Sequence, residues 1–424
     1  MTGRHHHRRA SRGSGPRRLA ERRTAGLLAG IASAAVALAG CSTAPYALQP
    51  GRSTATFAPT STVGFAPSAA AIPPPSPSPS PSPSYVVGRD WQRLELPAGI
   101  PHAELTAVTA DAHGWIAVGR GGLPPNEFAV VLTSPDGRRW TAADRSGFGV
   151  GEASFVGVAS TGSVRAVIAT TVDGSSKAWQ SGSGGRWAPV TLPDWRVGGV
   201  DGLVAGHGRF VAVGGLYYGT PRAVGAIWSS NDGLRWYRTT FSASHWPLSI
   251  ATTPEGFLAL GGIPQPSGES RPALWTSADG LAWAGPTLLP VESDGLHLAA
   301  GPGGIVIPGP VGTGASPGDW ISADGKTWTK EILPGALALD AVAPLGTGFF
   351  ASARDPSGGL DSILMRPSLD VPWEVEDTTL GPSGIGSLPG LAGIASSPDG
   401  TRVVAVGGTP AIFVSPSFSS GGTR

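Results

Sequence analysis

Three observations predict an all-β fold, a seven-bladed β-propeller of four-stranded blades. A phrase Ser-x-Asp-Gly-x-x-Trp recurs along the chain. Tryptophans at 91, 140, 187, 236, 283, 328 and 373 follow one another at intervals of 45–49 residues, a period that suits propeller blades. The last unit lacks one strand, and the start of the body carries a strand without a unit.

The leader comes first. Residues 1–23 hold eight arginines against Glu21, and an uncharged Ala/Leu/Gly stretch follows from Ala25 to Gly40. That stretch is short for a membrane span, which needs roughly 20 apolar residues, and has the layout of a signal peptide. It ends Leu38-Ala39-Gly40-Cys41, and Cys41 is the only cysteine in the chain. This ending resembles a bacterial lipobox, which implies a lipidated Cys41 held in the bilayer. It also implies a protein exported and lipid-anchored to the outer face of the cytoplasmic membrane. Arg22-Arg23 leaves Sec and twin-arginine export both open. Without the leader, the net charge falls from +1 to −6. An acidic body without a basic stripe argues against nucleic acid as a partner.

Residues 41–84 read as the lipidated cysteine and a disordered linker of Pro, Ser, Ala and Thr, with alternating Ser-Pro near its end. Such a segment buries too little apolar surface to offset its ordering entropy, and its Pro-rich part reads as an extended spacer. The propeller is expected over 85–418, as a monomer, and a disordered tail over 419–424.

Within the body, each unit reads as four short runs. First runs such as Leu105 to Val108 and Leu248 to Ala251 lead through a Gly-containing turn to second runs such as Phe210 to Val213 and Phe257 to Leu260. A third run, such as Ala273-Leu274-Trp275, enters the recurring phrase, and a fourth run follows its Trp. The good copies comprise Ser134, Asp136, Gly137 and Trp140; Ser230, Asp232, Gly233 and Trp236; Ser277, Asp279, Gly280 and Trp283; and Ser322, Asp324, Gly325 and Trp328. A worn copy runs from Ser181 to Trp187, and at Trp373 only the aromatic and the spacing survive. Asp-Gly supplies the positive φ of a tight hairpin, and Ser and Asp side chains can bond nearby backbone N–H groups. These are structural corners, and the periodic tryptophans read as packing between blades. The strand at Trp91 to Pro97 matches other fourth strands, including the Leu-Pro exit. Pairing it with Ala411 to Ser415 closes the ring and hides its edges.

This phrase resembles the Asp-box, or BNR, repeat of sialidase-like propellers, usually Ser-x-Asp-x-Gly-x-x-Trp, here one residue shorter between Asp and Gly. The resemblance implies that the box is a corner on the face opposite an active site. A sialidase would also carry an arginine trio, a Tyr–Glu pair and an Arg-Ile-Pro segment. That segment is missing, the trio is matched only by Arg120, Arg271 and Arg354 in separate blades, and Tyr217 and Tyr218 are adjacent in one loop. The sequence shows no metal-ligand spacing, nucleophile elbow or phosphate loop, so no cofactor and no metal are expected.

The second-to-third and fourth-to-first loops of a blade share one face. In the third and fourth units these loops carry Trp195, Arg196, Tyr217, Tyr218, His245 and Trp246, aromatics with polar partners suited to a sugar or peptide. The stretches Gly261 to Pro272 and Gly309 to Gly318 read as long loops walling the same area. The expected function is a non-catalytic, membrane-anchored propeller binding an envelope protein or glycan. The alternatives are a sialidase-like exo-glycoside hydrolase and an envelope assembly scaffold.

Overall fold

The computed structural model describes residues 84–86 and 91–421, apart from 124–125, 149–152, 172–174, 183–184, 192–194, 196–197, 218–221, 242–244, 267–269, 292–296, 310–317, 335–336, 355–361, 378–389 and 409–410. The leader, Cys41 and the linker up to residue 83 lie outside the described residues.

Seven four-stranded antiparallel sheets stand around a central channel. Blade 1 spans residues 104–142, blade 2 153–190, blade 3 198–240, blade 4 246–288, blade 5 299–331 and blade 6 338–377. Blade 7 takes three strands from 391–414 and its outer strand from Gln92–Leu94. The ring therefore closes as its terminal units predict, with Gln92 opposite Val414, Arg93 opposite Phe413 and Leu94 opposite Ile412. Six inner strands carry a bulge at matching positions, for example between Leu105 and Ala107 and between Leu391 and Gly393. A bulge adds local twist, which helps each blade turn from the channel to its outer edge.

The recurring phrase forms the corner between third and fourth strands. In blade 4, Ser277 Oγ lies 3.2 Å from Asp279 Oδ1, and Gly280 N–H donates to Ser277 Oγ at 2.8 Å. Asp279 Oδ1 also accepts the N–H groups of Leu281 and Ala282 at 2.9 and 3.0 Å. The corners at Asp136, Asp232 and Asp324 repeat the paired N–H bonds at 2.8–2.9 Å. Gly137, Gly233, Gly280 and Gly325 all have φ of 69–73°, a conformation that disfavours any residue with a Cβ. The bonds from Ala282 and Leu281 hold the Asp279 carboxyl below its ordinary range. At Asp136 partial burial works the other way, yet the N–H groups of Arg139 and Arg138 bring it to about 2. Each of these aspartates builds its turn through Oδ1, which accepts the paired N–H groups and so favours the ionised form.

Between the blades lie seven apolar seams, and each periodic Trp packs towards the preceding blade. Trp140 joins Val404, Val406 and Ile412 of blade 7, and Trp187 joins Ile116 and Val118 of blade 1. Trp236 faces Ile168, Trp283 faces Val211 and Val213, and Trp328 faces Leu258 and Leu260. Trp373 packs with Val306 and Ile321, and Trp91 with Phe350 and Met365. Where geometry allows, the indole also bonds its own corner: Trp140 Nε1–H donates to Gly137 O at 2.9 Å and Trp236 Nε1–H to Gly233 O at 3.0 Å.

Two expectations differ from the structure. Gly261 to Pro272, read as a long loop, is mostly strand: Gly256–Pro264 and Ser270–Ser277 stay paired out to Pro264 opposite Ser270. Glycine and proline there suggested a loop, but cross-strand pairing overrides that local preference. Ser419–Gly421, assigned to a disordered tail, pairs antiparallel with Ser84–Val86. A Ser/Gly run has no apolar alternation to announce a strand. Just before it, Phe418 is buried and meets Phe350 at 5.2 Å between centroids, and Trp91 meets the same ring at 6.0 Å.

The closure has a direct test. Removing residues up to Pro97 strips the outer strand from blade 7 and the Trp91 ring from its seam. Losing a large aromatic from a packed seam costs about 3 kcal/mol, and the lost ladder adds to it. The truncated protein is expected to unfold at clearly lower urea than the full chain. Coincident urea transitions for the two proteins would show that the strand is dispensable.

Candidate functional site

Antiparallel order within the blades puts first-to-second turns and corners on one face. Contact across a seam agrees: Arg402, at the first-to-second turn of blade 7, donates through Nη1 to Asp136 O at the blade 1 corner. The opposite face carries the second-to-third and fourth-to-first loops. The channel between the faces encloses about 330 Å³ and is lined by three consecutive residues from each inner strand, such as Val108, Thr109 and Ala110. None of these lining residues has a titratable side chain.

Three of the six residues expected to bind a ligand meet at the boundary of blades 3 and 4. Tyr217 directly follows the second strand of blade 3, Arg209–Leu216, and is 44% exposed. Trp246 opens the inner strand of blade 4 and lays its ring over Gly215, where an added Cβ would come within 2.3 Å of that ring. His245 sits with its carbonyl against Gly225 and its ring 6.0 Å from that of Trp275. Two glycines thus form a cradle that admits this segment, because any side chain at either would collide with it. Tyr217 has φ of 57°, a left-handed conformation that is an outlier for a bulky residue and costs about 1–2 kcal/mol. Strain of this kind concentrates at sites where a side chain must be aimed.

The remaining three do not join them as predicted. Trp195 is 1% exposed and belongs to the seam between blades 2 and 3, edge-on to Trp228 and tilted against Trp236. Its place is in the core; a loop aromatic found shelter there because the seam had room for a third indole beside Trp228 and Trp236. Arg196 and Tyr218 lie outside the described residues, as do 310–317 of the expected loop Gly309 to Gly318. The three arginines of the hydrolase reading do not share a focus either. Arg120 pairs with Glu104 at 2.7 Å and with Glu127 at 3.4 Å, Arg354 pairs with Asp340 at 3.2 Å, and Arg271 donates to Leu289 O at 3.4 Å. Each is bonded inside its own blade.

Sequence reasoning missed a buried polar cluster at the seam of blades 5 and 6. Asp319 stands where blades 1, 3, 4 and 6 have Val131, Ile227, Leu274 and Ile363, each three residues before the corner position. Arg366 occupies the corner position taken by Ser134, Ser230, Ser277 and Ser322. Both side chains are fully buried. Arg366 clasps Glu331 at 2.7 and 3.3 Å and donates to the carbonyls of Ser368 and Leu369. Asp319 receives the Trp373 indole N–H at 2.8 Å but lies 3.9 Å from Arg366. Burial, aided by the Glu331 charge, pushes the Asp319 carboxyl up to about 6, against the opposing Trp373 bond and Arg366 charge. Superposing the repeats by their corners would have exposed both substitutions.

No protein-family model matches the sequence, and no curated protein matches it. Solved structures do match. The structure of YCF48 bound to a D1 peptide is similar with a TM-score of 0.56 and 14% identity, over 78% of this chain and 97% of that one. This is a propeller fold. An acylaminoacyl peptidase of Pyrococcus horikoshii is similar at a TM-score of 0.48 and 10% identity, over 74% of this chain and 51% of that one. The propeller domain of the Trilobed protease of Pyrococcus furiosus gives 0.47 and 10%, over 74% and 95%.

The buried cluster predicts a pH dependence. Asp319 keeps its proton to about pH 6 when folded, whereas an unfolded aspartate loses it near pH 3.9. The native state therefore holds the extra proton in that window, and this group's contribution to stability falls as pH rises from about 4 to 6. Asp319→Asn removes the titration and keeps an acceptor for Trp373. Relative to wild type, the variant is expected to gain about 2–3 kcal/mol between pH 4 and pH 8. Comparing across pH cancels the amide's own fixed bonds. Parallel stability curves for the two proteins would mean that Asp319 is ionised throughout.

Proposed function

We propose that this protein is an exported, lipid-anchored scaffold whose propeller binds an extended segment of an envelope protein at the blade 3–blade 4 boundary, without catalysis. The observation that carries the reading is Tyr217: half-exposed, held in a left-handed conformation and set beside a tryptophan cradled on glycine. An exposed aromatic anchor on a rigid rim gives contact area at low entropic cost. The likeness to YCF48, whose structure is of a peptide complex, makes a peptide the ligand class to try first. The basic flank, the apolar stretch and Cys41 support the anchor, and the Ser-Pro linker supports a spacer that would hold the propeller away from the bilayer. The corner phrase supports kinship with Asp-box propellers, with the box as architecture.

Tyr217→Gly separates function from stability. Glycine relieves the left-handed strain, so the variant is expected to melt higher, with a gain of about 0.5–1 kcal/mol. Capture of the partner from solubilised envelope by the full-length protein is expected to drop roughly tenfold, the loss of one interface anchor. A glycan array run alongside decides the ligand class. Undiminished capture by the Gly variant would sink the site.

Cys41→Ala is expected to move the protein from the membrane fraction to the soluble exported fraction and to abolish metabolic palmitate labelling. A variant that stays on the membrane would refute the anchor.

A further inference from the structure

On the corner face, each corner glycine looks across a seam to the first-to-second turn of the preceding blade. At Gly137 and Gly280 residues at or just after that turn fill the gap, and at Gly233 a third-strand residue of the preceding blade does. A Cβ added to Gly137 would come within 3.2 Å of Val404 and 3.3 Å of Arg402 Cδ, both in blade 7. One added to Gly280 would come within 2.9 Å of Arg209 Cδ of blade 3, and one added to Gly233 within 3.1 Å of Gln180 of blade 2. Gly325 is different. The only described atom within 4 Å of its Cβ position is Ile305 Cδ1 of its own blade, at 3.3 Å. Nothing from blade 4 reaches it.

The cause lies in the blade 4 turn. Blade 3 makes its turn with His207 and Gly208, both at positive φ, which leaves the next residue free to be Arg209. Blade 4 uses Pro254 and Glu255, and Pro cannot adopt positive φ. The left-handed torsion passes instead to Gly256, at φ 147°, where a Cβ would lie 2.2 Å from Ser277 O. The position that carries arginine in blades 3 and 7 must therefore be glycine in blade 4. A cleft of about 830 Å³ remains between blades 4 and 5, with Leu258, Leu274 and Ile305 among its walls and Glu255, Asp324 and Lys326 bringing charge to it. That volume lies within the usual range for a ligand site.

We propose that this cleft receives an arginine side chain of a partner polypeptide, seated at the Asp324 corner as Arg402 is seated at Asp136. The molecule already shows the interaction in its own seams. Arg402 donates to the Asp136 carbonyl and, at 2.8 Å, to Ser417 Oγ. Arg209 lies against Gly280, and its charge adds to the backbone bonds acting on Asp279. The Asp324 corner has the same hydrogen bonds and the same glycine torsion as these two. Lys326 beside it is no obstacle, since Arg138 and Arg139 flank Asp136 and Arg402 still docks there. Apolar walls suit the methylene stem, and the carbonyl and carboxylates suit the planar fork. The site is on the face opposite Tyr217 and stands independently of it.

The probe is L-arginine amide, with L-citrulline amide as its uncharged isostere, titrated into the ¹⁵N-labelled full-length protein. The Trp328 indole and the amides of Lys326 and Thr327 are expected to shift saturably with arginine amide and not with citrulline amide. Asp324→Asn, which keeps the cap acceptors, is expected to weaken binding about fivefold, and Lys326→Glu to strengthen it by a similar factor. Ala282→Trp, filling the cleft from its exposed rim, is expected to abolish the shifts, and Tyr217→Gly to leave them intact. Equal shifts with both amides, no saturation, or a Lys326→Glu protein that binds no tighter would each overturn the proposal.

Discussion

Every blade is secured by the indole it extends into the blade before it. The backbone ladders of each blade pair only strands of that blade, so nothing in the ladders joins one sheet to the next. That task falls to the seven apolar seams, each containing one periodic Trp. A ring has no free end only if the last seam forms like the others. Blade 7 therefore needs an outer strand and a Trp from 320 residues away in sequence, and Trp91 with Gln92–Leu94 supplies both.

Repetition has a second consequence. With the corners and seams solving the same packing problem seven times, a departure from the repeat has no architectural motive. Asp319 and Arg366 exchange an aliphatic core residue and a capping serine for two buried charges. The guanidinium satisfies Glu331 and two carbonyls and leaves the Asp319 carboxyl short of a full partner. Gly256 withholds the side chain that fills the seams beside blades 3 and 7. Tyr217 places a bulky side chain where glycine would be easiest. Each of these is costly or neutral for the ring; Asp319, Arg366 and Tyr217 have no counterpart in the other described blades, whereas glycine recurs at the Gly256 position as Gly114, Gly304 and Gly348.

The faces also differ in character. The corner face is a rim of short hydrogen-bonded turns whose carboxylates are held below their ordinary range by neighbouring N–H groups. Such groups are poor proton donors and acceptors at neutral pH. The opposite face has the longer connections and the half-exposed aromatics. The channel joining them is lined by apolar residues and hydroxyls, with no titratable side chain among them. This distribution suits recognition on the rims.

Much of this was legible without coordinates. Fold, blade number, the partner of the first strand and the direction of the corners all follow from a spacing of indoles and a phrase containing Asp-Gly, because positive φ and four-strand periodicity are local demands written residue by residue. The candidate site was legible only in part. Tyr217, Trp246 and His245 could be assigned to one face from connectivity, but whether a loop aromatic faces water or a seam depends on what the adjacent blade presents. Trp195 found an unfilled space against Trp228, and Trp246 found Gly215. The cleft beside Gly325 is likewise an absence created by a turn some 70 residues earlier. Local torsion and periodicity belong to the sequence by itself; burial and vacancy belong to pairs of surfaces, and only the closed ring decides which surfaces meet.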